Sequence, residues 1–396
     1  MPLALENLTV LDLTQVMAGP FCCQLLGDLG ADVIKVEPVH GDATREATGQ
    51  RLPHGESAAF LAVNRNKRGI AIDLRNPDGL AAFKKLAATA DVVVESFRPG
   101  VAKRLGVDYA SLRADNERLV YASISGFGQT GPYATRPGYD LIAQAMSGIM
   151  SVTGAPDGPP TKSGLPVADL SAGLLCAVGI LSACLSRTVT GRGQAVDTSL
   201  YDAALAMSVW ETAELWATGE APRRLGSAHR VNAPYDAFPT RDGHLTIGAN
   251  NARLWARLCA VLNRPDLAAD PRFATNDDRV RNRDELTAEL ATTLSTKDTV
   301  EWVELLLGAG VPAGPIRDYR QSCADPHTVA REMVVELDHP VEGRVKALGI
   351  PVKLSETPGT IRRVPPGLGQ HTDEILRAAG LDDAEIAALR ANGAVT

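Results

Sequence analysis

The chain predicts an α/β fold: a large Rossmann-like domain with a mostly parallel sheet, joined to a smaller α+β domain. Three observations carry that reading. Strand-like and helix-like segments alternate through the first half, the order that parallel strands with helical crossovers require. At 396 residues the chain exceeds the size at which one core usually stops growing, so two domains are expected. A polar stretch, Gly219-Glu220-Ala221-Pro222-Arg223-Arg224, separates the first half from a segment patterned as a hairpin.

Leu8 to Thr14 reads as the first strand. A helix through Leu29 follows, with Pro20 suited to its first turn, where a backbone N–H would go unpaired in any case. Val33 to Glu37 and Gly69 to Leu74 are the next strands, then come a helix from Asp78 and a strand from Asp91 to Phe97. Leu119 to Ile124 and Gln194 to Thr198 add two more, the second entering a helical run through Tyr201 and Trp216. Beyond the polar stretch, Tyr235 to Phe238 and His244 to Ile247 form the hairpin, turning at Arg241-Asp242-Gly243. Helical patterns fill Ala252 to Leu262 and Asp284 to Leu307, and the glycines and prolines of Gly308 to Pro315 break the chain. Met333 to Leu337 and Val345 to Leu348 are strand-like, and a helical stretch starts at Asp373. The expected division is a large domain over residues 1–220, a small domain over 221–315, and a linker and C-terminal part over 316–396 that returns to the large domain.

Net charge is −7 and the basic residues are dispersed, which argues against nucleic acid or an anionic membrane as a partner. Cys22, Cys23, Cys176, Cys184, Cys259 and Cys323 lie mostly in apolar segments without CxxC spacing, so they read as reduced core thiols. The first strand begins too early to leave room for a cleavable leader, and the cytoplasm is the expected compartment. Leu170 to Leu185 is at the short edge of a membrane span, carries Ser and Gly, and has Asp169 at its mouth. It is expected to be a helix buried in a soluble protein.

The opening strand, helix and strand invite a dinucleotide site, with Glu37 as the ribose acceptor. The turn reads Gln15-Val16-Met17-Ala18-Gly19-Pro20, however, and not GxGxxG. Walker, HExxH and GxSxG motifs are absent, and the histidines fall at no recurring ligand spacing, so no metal site is expected. Arg65, Lys67, Arg68, Arg75, Arg98, Lys103 and Arg104 cluster around the early loops. They form either a solvated rim or a phosphate site beyond the carboxyl ends of parallel strands. Asp169 is a lone carboxylate between a Gly-Pro-punctuated stretch and the charge-free run Leu170 to Leu185. It suits an N-cap, accepting from unpaired backbone N–H groups, or a nucleophile that carries an acyl group, and one geometry could serve both.

Assembled, these residues resemble the class III CoA-transferases, the family of formyl-CoA transferase and carnitine CoA-transferase. The resemblance runs in order through Val10 to Thr14, Ala18-Gly19-Pro20, Gly30 to Glu37, Asn66-Lys67-Arg68 and Val94 to Gly100. It continues through Ser125 to Gly128, Gly138-Tyr139-Asp140, Gly191 to Gln194, Gly308 to Pro315 and Leu368 to Thr372. It implies that Asp169 is the catalytic nucleophile and that coenzyme A is a substrate, with no permanently bound cofactor. CoA is then expected along Val16, Ala18, Phe97 and the cationic Arg75, Arg98 and Arg104, in the N-terminal part of the large domain. Met17, Tyr139, Asn250 and Asn251 are the implied substrate contacts. Gly248 to Asn251 resembles the family's mobile loop, with a turn ending a hairpin strand as the structural alternative.

Met17 stands where formyl-CoA transferase has a glutamine, and Pro38 replaces an arginine that contacts CoA there. Formyl and oxalyl groups are therefore not the expected cargo. The sister α-methylacyl-CoA racemases use a His-Asp pair, and their histidine would fall at Tyr139, so racemization is the alternative that lacks its imidazole. A non-catalytic CoA-binding relative is a second alternative. Pro222 to His229 and Pro234 to Phe238 look most like the branch that uses succinyl-CoA and dicarboxylates such as glutarate or hydroxymethylglutarate, with itaconate, mesaconate and citramalate chemically close. Arg223, Arg224 or Arg230 either binds the distal carboxylate or belongs to an exposed linker. The resemblance also implies an interlocked homodimer.

Overall fold

The computed structural model describes residues 2–46 and 51–396. The chain divides into two compact units, one of residues 1–150, 162–219 and 327–396, the other of residues 151–161 and 220–326. In the first unit six strands run parallel: β1 (Thr9–Asp12), β2 (Asp32–Glu37), β3 (Lys67–Ala71), β4 (Val92–Glu95), β5 (Val120–Ser125) and β6 (Ala195–Ser199). Their spatial order is β3-β2-β1-β4-β5-β6.

Consecutive apolar residues in these strands reflect burial on both faces, as a doubly covered parallel sheet demands. Val10 packs on one side with Cys22, Leu26, Cys176 and Ile180, while its neighbour Leu11 packs on the other with Phe83, Leu86, Ile375 and Leu389. The C-terminal helices Thr372–Ala378 and Asp383–Ala391 supply part of that second layer. Strand order reverses between β1 and β4, and in open α/β sheets the crevice beyond the carboxyl ends at such a point is where ligands bind.

The helix Val167–Thr190 is long and apolar enough to cross a bilayer by length and composition. One side of it packs into the core through Ala168, Ala172, Cys176 and Ile180. A Cβ at Gly173 would lie 2.6 Å from the Ala18 carbonyl, so glycine here lets this helix press against the start of the helix Ala18–Asp28. Asp169 lies one turn before that contact.

In the second unit β7 (Tyr235–Pro239) and β8 (His244–Gly248) form the expected hairpin, and β9 (Ala313–Pro315) adds a third antiparallel strand. Gly308 to Pro315 therefore contributes to the sheet inside this unit. The run Asp284 to Leu307 is two helices, Arg283–Leu294 and Thr299–Gly308, because Asp298 and Glu301 form a capping box that restarts the helix. Likewise, the run through Tyr201 and Trp216 is Leu200–Ala206 followed by Val209–Thr218. Returning to the first unit, β10 (Val334–His339) and β11 (Gly343–Leu348) pair as an antiparallel ribbon.

Candidate active site

Two loops meet at the switch point. The loop leaving β1 is braced from below, where the backbone N–H of Thr14 donates to Asp12 at 2.9 Å. It is braced laterally by the N–H of Gln15, which donates to the Ser96 hydroxyl of the loop after β4 at 3.1 Å. Between these anchors Val16 adopts φ +72°, a left-handed conformation that a β-branched residue takes only against strain, and its side chain stays 48% exposed. After β4, the Phe97 N–H donates to the buried Glu95 carboxylate at 2.7 Å, which sets the path of the Phe97 backbone. Burial pushes the Glu95 carboxyl up to about 7, with the charge of Asp197 adding to it against hydrogen bonds from Ser123 and Phe97.

Asp169 enters from the long helix, and it is not the cap. The N-cap position is Pro166, which offers no side-chain acceptor, and Asp169 is the third helical residue. The capping acceptor comes from Asp140, whose Oδ1 receives the N–H groups of Ala168 at 2.9 Å and Asp169 at 3.3 Å. Asp140 is itself held, since the buried Gln144 donates Nε2 to its Oδ2 at 2.6 Å and accepts the Ser163 N–H at 2.9 Å. The expectation that Asp169 serves its own helix is thus corrected: a carboxylate from another helix satisfies those donors. Its own carboxyl group accepts no hydrogen bond among the described residues. Burial pushes it up to about 7, and the neighbouring Asp140 charge adds to the effect. The wall beside it is closed by Gly126 and Gly138, whose backbones approach so tightly that a Cβ on either would fall 2.9 Å from the other's Cα.

A cavity of about 300 Å³ opens here, lined by the Gln15–Gly19 loop, Ser96 to Pro99, Arg136 to Tyr139 and Asp169. A second, of about 140 Å³, is lined by Glu37 to His40, Asp73 to Arg75 and Leu105, and shares Leu13, Gln15 and Phe97 with the first. Of the residues singled out from sequence, Val16, Met17, Ala18, Phe97, Arg98 and Tyr139 line the cavity that holds Asp169. Arg75 lines the second cavity, where it pairs with Asp73 at 3.0 Å. Arg104 is exposed on the helix Val101–Leu105 and lines neither. Asn250 and Asn251 belong to the second unit, and Asn251 caps the helix Ala252–Val261 by accepting the Leu254 N–H at 3.0 Å. Arg223, Arg224 and Arg230 also lie in that unit.

Three early cations serve neither as a solvated rim nor as a phosphate site. Lys67 is fully buried and paired with Asp12 at 2.8 Å, Arg65 is buried against Asp28 at 2.6 Å, and Arg68 pairs with Asp32 and Glu374. Burial alone would raise Asp12, but the ammonium groups of Lys67 and Lys35 overcome it and hold the carboxyl at about 2. Glu37, the position a ribose acceptor would occupy, is taken by Arg45 through two 2.7 Å hydrogen bonds. Among the described residues no group of three or more His, Cys, Asp and Glu is arranged to hold a metal. Four cysteines are buried, Cys184 is half-buried and Cys323 is exposed.

Sequence reasoning missed two residues of the site. Asp140 was legible only as part of Gly138-Tyr139-Asp140, with nothing local to mark it as the cap of a helix 27 residues further on. Arg136 sits two residues before that motif and lines the Asp169 cavity with its guanidinium stacked 3.7 Å from the centre of the Tyr133 ring.

Comparison with known proteins accords with this geometry. The family model described as CoA-transferase family III matches residues 5–372. The chain is 40% identical to a succinyl-CoA:glutarate CoA-transferase of Mus musculus, over 94% of this chain and 86% of the relative. It is 44% identical to an acetyl-CoA:oxalate CoA-transferase of Acetobacter aceti, over 88% and 89%. Among solved structures, a CAIB/BAIF family protein from Brucella suis superposes with a TM-score of 0.86 at 39% identity, over 96% of this chain and all of the other.

Proposed function

The chain belongs to CoA-transferase family III and is a CoA-transferase; from that premise we propose that it moves CoA from succinyl-CoA to a free dicarboxylate through a covalent intermediate on Asp169. The observation that carries the reading is the Asp169 carboxylate itself. It is half-buried, relieved of capping by Asp140, and accepts no hydrogen bond among the described residues at the mouth of the switch-point cavity. A carboxylate partly withdrawn from water and without a hydrogen-bond donor keeps its lone pairs available for attack.

The exchange follows in four balanced steps. Asp169 attacks the thioester carbonyl of the donor, forming a mixed anhydride and releasing CoA thiolate. The thiolate attacks the aspartyl carbonyl, giving an Asp169–CoA thioester and free succinate. The acceptor carboxylate attacks that thioester, forming a second anhydride and again releasing thiolate. Attack of the thiolate on the acceptor's acyl carbon yields the new acyl-CoA and restores Asp169. Ala18 and Gly19, the first two residues of the helix Ala18–Asp28, line the cavity that holds Asp169, and their N–H groups, without a side-chain cap, suit the developing oxyanion.

The shared boundary of the two cavities gives CoA a path, with its phosphates toward Arg75 and pantetheine passing Phe97 to Asp169. The acids are argued from the relatives: succinyl-CoA:glutarate at 40% identity favours a dicarboxylate, while acetyl-CoA:oxalate at 44% shows that identity alone does not choose the pair. No observation favours racemization, since Tyr139 stands where its histidine would be and no histidine lines the Asp169 cavity. We read the enzyme as a cytoplasmic homodimer. Leu174, Val178, Leu185 and Val189 expose an apolar side of the long helix, which a second copy would cover.

Intact-mass analysis after incubation with succinyl-CoA tests the mechanism. A CoA adduct on Asp169 that hydroxylamine removes, and that Asp169→Ala does not form, is expected. Near-normal CoA exchange in Asp169→Ala would overturn it.

A further inference from the structure

Arg136 is exposed, and with Arg98 it is one of the two arginines that line the cavity holding Asp169. Among the described residues its side chain makes no ion pair and no hydrogen bond, yet it lines the cavity that holds Asp169 and is absent from the cavity lined by Arg75. Its guanidinium carbon lies over the Tyr133 ring, 3.7 Å from the centre, and Tyr133 in turn meets Phe127 edge-on at 5.8 Å. Stacking takes up one face of the guanidinium and leaves its in-plane N–H donors free, the arrangement that receives a carboxylate in bidentate fashion. Arg136 also precedes Asp140 by four residues, so one stretch of chain places both this cation and the acceptor that holds the first turn of the Asp169 helix.

We propose that Arg136 is the specificity-determining residue of the site, binding the distal carboxylate of the acyl group that Asp169 carries. The assignment rests on the dicarboxylate reading above and deepens it. Once the proximal carboxyl group is joined to Asp169 as an anhydride, that end of the acyl group is neutral and the distal carboxylate is its remaining charge. Donor and acceptor occupy the same place in turn, so a single cation serves both halves of the exchange. The cavity, at about 300 Å³, lies at the low end of small-molecule sites, which keeps a short diacid within it.

The first half-reaction, run without acceptor, isolates one acyl group. The rate of Asp169–CoA adduct formation is measured with succinyl-CoA and with butyryl-CoA, which has the same chain length and no distal charge. Binding of free CoA is measured by calorimetry. For Arg136→Gln the preference for succinyl-CoA should fall about 10–100-fold, the size expected for losing a charged bidentate contact. Free CoA should bind as in the wild type, and Arg136→Lys should recover part of the preference. An unchanged preference in Arg136→Gln with weakened CoA binding would overturn the assignment and make Arg136 a phosphate contact. If the wild type itself shows no preference for succinyl-CoA, the dicarboxylate reading falls and this assignment falls with it.

Discussion

Replacing Asp169 by Asn removes the proposed nucleophile and, with it, a charge that the fold resists. Burial and the Asp140 charge hold the Asp169 carboxyl at about 7, against an ordinary 3.8. The folded protein thus keeps this proton to higher pH than the unfolded chain does. The contribution of the group to stability is complete below about pH 4 and is lost as pH rises through about 7. At about 1.4 kcal/mol per pH unit, the full difference sets a ceiling of about 4 kcal/mol. The side chain is half-buried, and solvent screening reduces the expected cost to about 1–2 kcal/mol. An amide at position 169 does not titrate, so the variant escapes this loss. Asp169→Asn should therefore melt higher than wild type at pH 8, by about 1–3 °C, and the gap should narrow steadily towards pH 4.5. Thermal unfolding followed by circular dichroism across that range reads the gap, and comparing its pH dependence avoids assuming that two compact units unfold in one step. A gap independent of pH, or a variant less stable at pH 8 than wild type, would refute the claim that the Asp169 charge is desolvated.

In the proposed mechanism the same proton governs activity: the rate of adduct formation on Asp169 should rise with pH up to about 7 and then level, as single-turnover mass analysis would show. Asp140→Ala should move that limb to lower pH by removing the neighbouring charge. It should also destabilise the protein by about 1–2 kcal/mol, since the Ala168 N–H loses its cap and Gln144 its acceptor. Lys67→Met should cost about 3–5 kcal/mol because Asp12 loses its direct ion-pair partner where water does not reach, and Asp12→Asn combined with Lys67→Met should recover much of the lost melting temperature.

The sheet was legible because its signal is local. Runs such as Val92-Val93-Val94 are apolar at consecutive positions, which only a strand covered on both faces requires, and all three residues are fully buried. The hairpin was legible for the same reason, its turn residues lying between two short runs. Charges were read less well. Lys67 and Arg65 looked like members of a solvated cluster, because sequence shows the residue type and not the partner: Asp12 is 55 residues from Lys67, and Asp28 is 37 from Arg65. β9 was read as a break since Gly and Pro rarely sit within a sheet. At an edge, pairing with β8 on one side alone, a strand of three residues tolerates them.

Asp169 shows how a local rule assigns a residue to the wrong partner. Capping is a local rule, so an Asp at the start of an apolar run is naturally assigned to its own helix. A carboxylate that accepts those N–H bonds would be stabilised as an anion, with a lowered pKa and its lone pairs engaged. Asp140 takes that role from another helix, and its proximity then pushes Asp169 the opposite way, towards a protonation equilibrium near neutral pH. One carboxylate is hydrogen-bonded so that the other is not. That division of labour has no signature at either position in the sequence, because each residue alone is an ordinary Asp at the start of a helix. It appears only when the helices Asp140–Met146 and Val167–Thr190 meet, and the chemistry proposed for the site depends on their meeting.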